Sequence, residues 1–208
     1  MFKFFTVNGF IMKINKIKRT QLKKIKSCYH IKENQRLIIF IGFPGSGKTT
    51  YRNTLKENFV VVSPDEIRKN KFNIVFDLNL ESEVWNTVFD EIENCLCEGK
   101  SCLVDATNLN PYHRQIYIEM ALEHEATPEV CFFNTPFEEC LRRIRLRDPL
   151  IRIPDNLMVS MKELWDKYHI NNLYSIINQL FTEGFKIVKV IDNTDNTFTE
   201  KTFTNKLN

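Results

Sequence analysis

The 208-residue chain has no uninterrupted apolar run of the roughly 18–20 residues that a membrane helix needs, so a helical transmembrane protein is excluded. Its six cysteines, Cys28, Cys95, Cys97, Cys102, Cys131 and Cys140, lack the paired spacing of a zinc site. Cys28 lies in the basic leader and the other five fall in or beside expected helices and strands, which argues against a disulfide framework and for the reduced thiols of an intracellular, cytoplasmic protein. Acidic residues are nearly missing from the start. Positions 1–36 hold ten Lys or Arg and the single acid Glu33, whereas positions 37–208 hold 19 basic and 25 acidic residues, a net −6. A nucleic-acid partner therefore has to be argued from a local patch rather than from total charge. No internal repeat or linker-like stretch interrupts the body.

What is present is the composition of one globular domain, 43% hydrophobic and 26% charged. Residues 1–35 form a basic extension expected to be poorly ordered. Its alternatives are an arm that touches nucleic acid or a targeting segment. Residues 194–208, rich in Thr and Asn, are expected to be a polar, frayed tail. Between them, residues 36–193 alternate short apolar runs with helical patterns. Strands are expected at 37–41, 59–62, 101–104, 129–133 and 185–191. Helices are expected at 48–56, from Ser63 onward, and at 82–98, 111–124, 136–146, 155–168 and 172–181. This alternation predicts an α/β fold, a mostly parallel sheet with helices on both faces in three layers.

The segment Gly42-Phe43-Pro44-Gly45-Ser46-Gly47-Lys48-Thr49, with Thr50 behind it, matches the whole Walker A pattern between a buried strand and a helix, which makes the expected three-layer fold that of the P-loop NTPases. Glycines let backbone N–H groups curl around a phosphate, and the helix N-terminus adds its positive end. Lys48 is suited to the β- and γ-phosphates and the Thr49 hydroxyl to Mg²⁺, so ATP and Mg²⁺ are the expected ligands. The guanine-selecting Asn-Lys-x-Asp pattern is absent, because Asn70-Lys71-Phe72-Asn73 ends in the wrong residue.

Three further groups bear on the reaction. Asp65 follows the second expected strand by three residues and is either a general base for an acceptor hydroxyl or a helix-capping acid. Arg68, one turn on, shares its face and could hold an anionic acceptor. Five arginines, Arg142, Arg143, Arg145, Arg147 and Arg152, crowd a segment broken by Pro149. They form either a phosphate-binding lid over residues 142–154 or a solvated basic face, with Arg143 and Arg147 as the phosphate-facing pair. Asp105 ends the third strand, where an acid can hold the magnesium shell or simply close an Asx-type turn, and Thr107 and Asn108 beside it offer short polar groups to a substrate in the same cleft.

These pieces together resemble the 5′-hydroxyl polynucleotide kinase family. They are Gly42–Thr49, Asp65-Glu66-Ile67-Arg68, Asp105-Ala106-Thr107-Asn108-Leu109-Asn110-Pro111 with Arg114, and the arginine segment ending at Ile153-Pro154. The resemblance spans roughly residues 36–165. It implies transfer of the γ-phosphoryl group of ATP to the 5′-hydroxyl of DNA or RNA. Asp65 would be the base, Arg68 would bind the phosphate next to the acceptor nucleoside, and Arg147 with Arg143 nearby would contact the donor. Two departures are visible. The family's second acid directly precedes the threonine, where this chain has Ala106 with the acid at Asp105, and the lid arginine stands one residue further from Pro154. A kinase for a small metabolite or nucleoside, and an NTP-binding switch with weak hydrolysis, are the alternatives.

Overall fold

A computed structural model describes residues 35–74, 77–149, 152–169, 172–193 and 197–205. The basic extension, apart from Gln35, lies outside the described residues, as do the lid positions 150 and 151.

Six strands form one sheet: β1 (Arg36–Ile41), β2 (Val60–Val62), β3 (Cys102–Val104), β4 (Thr127–Phe133), β5 (Ile187–Asp192) and β6 (Thr199–Thr204), in the order β2-β3-β1-β4-β5-β6. The first five are parallel, and β6 runs antiparallel beside β5. The helices are α1 (Lys48–Arg52), α2 (Pro64–Ile67), α3 (Glu81–Cys97), α4 (Pro111–Glu123), α5 (Phe137–Arg145), α6 (Asp155–Tyr168) and α7 (Leu173–Glu183). No helix among the described residues is long and apolar enough to cross a membrane.

β1 shows why the sheet is covered on both faces. Its side chains alternate, Leu37, Ile39 and Ile41 entering the larger core with α3, α4, α6 and α7, while Ile38 and Phe40 enter a smaller one with Tyr51 of α1. All five are buried, which is why the run has no polar phase to read. Helix starts carry legible caps. Ser63 accepts from Glu66 N with Pro64 at the first helical position, Asn110 accepts from Tyr112 N ahead of Pro111, and Asn172 accepts from Ser175 N. Past α3, Gly99 takes a left-handed φ of 69°, and Lys100 N returns to Cys95 O at 3.1 Å, closing the helix.

Two expectations are corrected. The helix after the phosphate loop stops at Arg52 rather than near residue 56, because Thr54 turns its hydroxyl back onto Tyr51 O at 2.7 Å. Within 194–208, residues 199–204 are a strand and not a frayed tail. Glu200 accepts from the Tyr51 hydroxyl at 2.6 Å and pairs with Lys189, while Phe198 meets Tyr51 edge-on at 5.3 Å. Edge position lets β6 be polar, since only Phe203 packs against the larger core.

The chain runs from β1 out to β2, back to β3 beside β1, and then across to β4 on the other side. Strand order therefore reverses at β1, and a crevice opens at the carboxyl ends of β1 and its neighbours.

Candidate active site

The loop from Gly42 to Lys48 sits at that reversal point. Gly45 and Gly47 have φ of 85° and 99°, which L-residues rarely adopt, and a side chain at Gly45 would strike Cys140 O of α5. Gly42 is tight for a different reason: a Cβ there would lie 2.9 Å from Phe133 Cβ of β4. The loop is braced from outside. Gly42 N donates to Thr107 O at 3.1 Å, and Ser46 O accepts from Thr135 Oγ1 at 3.0 Å and from Asn193 Nδ2 at 3.3 Å. Arg143 reaches across from α5, its Nη1 donating to Gly45 O at 3.3 Å and its Nη2 to Asn193 O at 2.7 Å.

Lys48 folds over the loop, donating to Gly42 O at 2.9 Å and Phe43 O at 2.8 Å. Burial lowers its pKa to about 8, and the neighbouring Asp105 carboxylate only partly offsets this; the charge of Arg147 adds to the lowering. Lys48 thus rests on the backbone of its own loop, close to the Asp105 carboxylate.

On the other wall, Thr49 Oγ1 donates to Asp105 Oδ2 at 3.1 Å, and Arg52 stands 3.3 Å from the same oxygen. Burial raises the pKa of Asp105, and Lys48 and Arg52 oppose it. Asp65, on the first turn of α2, has a side chain 90% exposed and accepts from Arg68 Nη1 at 2.6 Å. Arg68 is itself clamped, its Nε and Nη2 each 2.7 Å from the two oxygens of Glu81 at the start of α3. This forked pair keeps the guanidinium charged and fixes where it meets Asp65.

The structure thus gathers the loop residues Gly42, Pro44, Gly45, Ser46, Gly47, Lys48 and Thr49 around Asp105 and Thr107, with Asp65 and Arg68 nearby. Thr50 is exposed one residue along α1. Three residues sit differently from expectation. Asn108 does not face the cleft: it is buried with φ 47°, and its Nδ2 donates to Phe40 O at 2.8 Å, because the loop leaving β3 must be tied to β1. Arg143 braces the loop backbone instead of standing open. Arg68 lies beside Asp65 as expected, yet Glu81 already neutralises it. Arg147 is exposed, one residue beyond the C-cap of α5.

Sequence reasoning missed Arg52, Glu81, Thr135 and Asn193. Their partners lie far off in sequence, and only Arg52, one turn along α1 from Lys48, carried a local signal.

Among solved structures, a chain of the Pnkp1/Rnl/Hen1 RNA repair complex aligns with 68% of this chain at 24% identity and a TM-score of 0.57. This chain spans about half of that one, 47% of its length. A structure described as a putative kinase from Chloroflexus aurantiacus aligns with 79% of this chain and 91% of its own at 15% identity and TM-score 0.57. The PezAT chromosomal toxin-antitoxin system of Streptococcus pneumoniae aligns with 95% and 81% at 15% identity and TM-score 0.56. At these identities the likeness is one of fold alone, and it agrees with the strand order and loop described above. The model of the AAA_33 family, an AAA domain, matches residues 37–153, more than half of the sequence, and the chain belongs to that family.

Proposed function

We propose that the protein transfers the γ-phosphoryl group of ATP to a hydroxyl, and that the acceptor is the 5′-hydroxyl of DNA or RNA. The observation that carries this reading is Asp65. It is an open carboxylate at the carboxyl edge of the sheet, oriented by an arginine that Glu81 holds in place, beside a complete phosphate loop. A hydrolytic switch has no need for a braced, solvent-facing base on the acceptor side. Likeness in fold to a chain of an RNA repair complex and to a putative kinase supports the same direction.

In this mechanism the loop amides and Lys48 bind the β- and γ-phosphates, and the exposed Arg147 stabilises charge on the transferring group. The oxygens of Thr49 and Asp105, 3.1 Å apart, are hard donors that suit Mg²⁺. Bound there, the ion would supply neutralisation of the phosphate charge. Asp65 accepts the proton of the acceptor hydroxyl as its oxygen bonds to the γ-phosphorus, and the bond to the bridging oxygen breaks to release ADP. Arg68 keeps Asp65 aimed, and its role toward an acceptor phosphate is what the family resemblance implies for this position.

The net −6 of residues 37–208 favours a second reading, a kinase for a small metabolite or nucleoside. Full-length protein with γ-labelled ATP, offered 5′-hydroxyl DNA, 5′-hydroxyl RNA and a panel of nucleosides and sugars, separates the two. Label should move to the oligonucleotides. Asp65→Asn should lower turnover by about 10²–10⁴-fold while ATP affinity holds. Label on small acceptors alone would transfer the case to the second reading, and full turnover in D65N would remove Asp65 from the chemistry.

A further inference from the structure

The cysteines carry no zinc spacing in sequence, but the fold gathers one of them with two other ligand types. Glu93 and Cys97 stand one turn apart on the same face of α3, and His124 caps the C-terminus of α4. A carboxylate oxygen of Glu93, the Cys97 sulfur and a ring nitrogen of His124 all lie within 4.8 Å of one another, each residue half-buried.

The detail that singles out this cluster is how His124 meets Glu93. Its Nε2 stands 3.1 Å from Glu93 Oε1, close enough for an ion pair. Yet Nε2 is fully buried and makes no hydrogen bond, so the two atoms lie side by side and are not aimed at one another. A buried ring nitrogen that makes no hydrogen bond is costly, and a bond to a metal ion would relieve that cost. Two ligands of one ion are arranged in this way. With bonds of about 2.0–2.3 Å in tetrahedral geometry, ligand atoms stand roughly 3.2–3.8 Å apart, so Glu93 and His124, at 3.1 Å, stand just short of that spacing. The Cys97 sulfur, within 4.8 Å of both, makes the third member of the set.

We infer that Glu93, Cys97 and His124 bind a borderline-soft divalent cation of the zinc class. Nitrogen, thiolate and a single carboxylate select such an ion over Mg²⁺, which prefers an all-oxygen octahedron. The site is remote from the phosphate loop. α3 and α4 both end just before the amino-terminal ends of β3 and β4, whereas the loop follows the carboxyl end of β1, and a six-residue strand spans about 20 Å. The ion would pin the ends of α3 and α4 together and take no part in phosphoryl transfer.

Titration of metal-free, full-length protein with Co²⁺, without nucleotide, tests this. One equivalent should bind and produce a thiolate-to-cobalt charge-transfer band with intense tetrahedral visible bands, and Zn²⁺ should displace it while Mg²⁺ does not. Cys97→Ser should lose the charge-transfer band, and Glu93→Gln and His124→Ala should each weaken Co²⁺ binding about tenfold or more. Zn²⁺ should raise the Tm of the wild-type protein and leave that of C97S unchanged. A band that survives in C97S would belong to another thiol and overturn the assignment, as would no binding at stoichiometric cobalt. Should C97S fail to fold, the E93Q and H124A titrations decide, and wild-type affinity in both would overturn it.

Discussion

Lys48 shows how one residue's environment sets up a function. Its ammonium satisfies two loop carbonyls and is nearly out of water, so burial brings the pKa down to about 8, with Asp105 and then Cys140 and Asp65 opposing. A nucleotide's phosphates would restore the charge, so binding takes up a proton wherever the free lysine has lost one. In calorimetry across buffers of differing ionisation heat, proton uptake should therefore be small at about pH 7 and grow above about pH 8, with ATP affinity falling by up to tenfold per pH unit. Lys48→Arg should remove this dependence, because guanidinium stays charged. The same lowering has a stability consequence. Between about 8 and the ordinary 10.5 the unfolded chain keeps a proton that the folded one has released, so this group's contribution to stability rises with pH across that window. Absence of proton uptake at about pH 9 would mean that Lys48 holds its proton despite burial.

At the scale of elements, the loop depends on glycine at a fixed place. Three of the six glycines of the chain fall within Gly42–Gly47. Gly47, at φ 99°, is the N-cap of α1, and a Cβ there would run into the Asn193 amide that braces Ser46. Gly47→Ala should then weaken nucleotide binding about tenfold or more, since left-handed strain of about 1–2 kcal/mol must be relieved by moving the loop or its brace. Gly99→Ala is the control. Its φ of 69° carries similar strain at the other end of the sheet, so it should lower Tm without changing nucleotide affinity. Equal nucleotide binding in G47A and wild type would show the loop to be far more pliable than its packing implies. This contrast also explains what was legible from sequence. Strands β1 to β5 and the capped helices announce themselves through local patterns of burial and turn chemistry, and so does the phosphate loop. Strand β6 does not, because its Thr-Glu-Lys-Thr-Phe-Thr run is an exposed edge; the alternating Thr and Phe residues were the one signal available. Thr135 and Asn193 were invisible because their roles consist of hydrogen bonds to a residue 89 and 147 positions away. Asn108 was misread because its polarity suggested the cleft, while its αL backbone and buried amide serve the β3–β1 junction.

Charge is distributed at the scale of the whole chain in a way that bears on the acceptor. Positions 37–208 sum to −6, so a long polyanion gains little from them beyond the immediate site, while positions 1–36 hold ten basic residues against one acid. A long nucleic-acid acceptor that engaged this basic segment would release counterions in proportion to the phosphates neutralised. Deleting residues 1–34 should then raise KM for a long 5′-hydroxyl oligonucleotide and flatten its salt dependence by about 0.7 in log–log slope for each phosphate the segment had neutralised. KM for ATP should not move, because the phosphate loop is built within the remaining chain. Nor should KM move for an acceptor of one or two nucleotides, which is too short to reach beyond the Asp65 and Arg68 site. Long and short acceptors responding alike to the deletion would separate the basic segment from catalysis. An unchanged salt slope would leave recognition of the acceptor to the crevice alone, which is the behaviour of a kinase acting on small molecules.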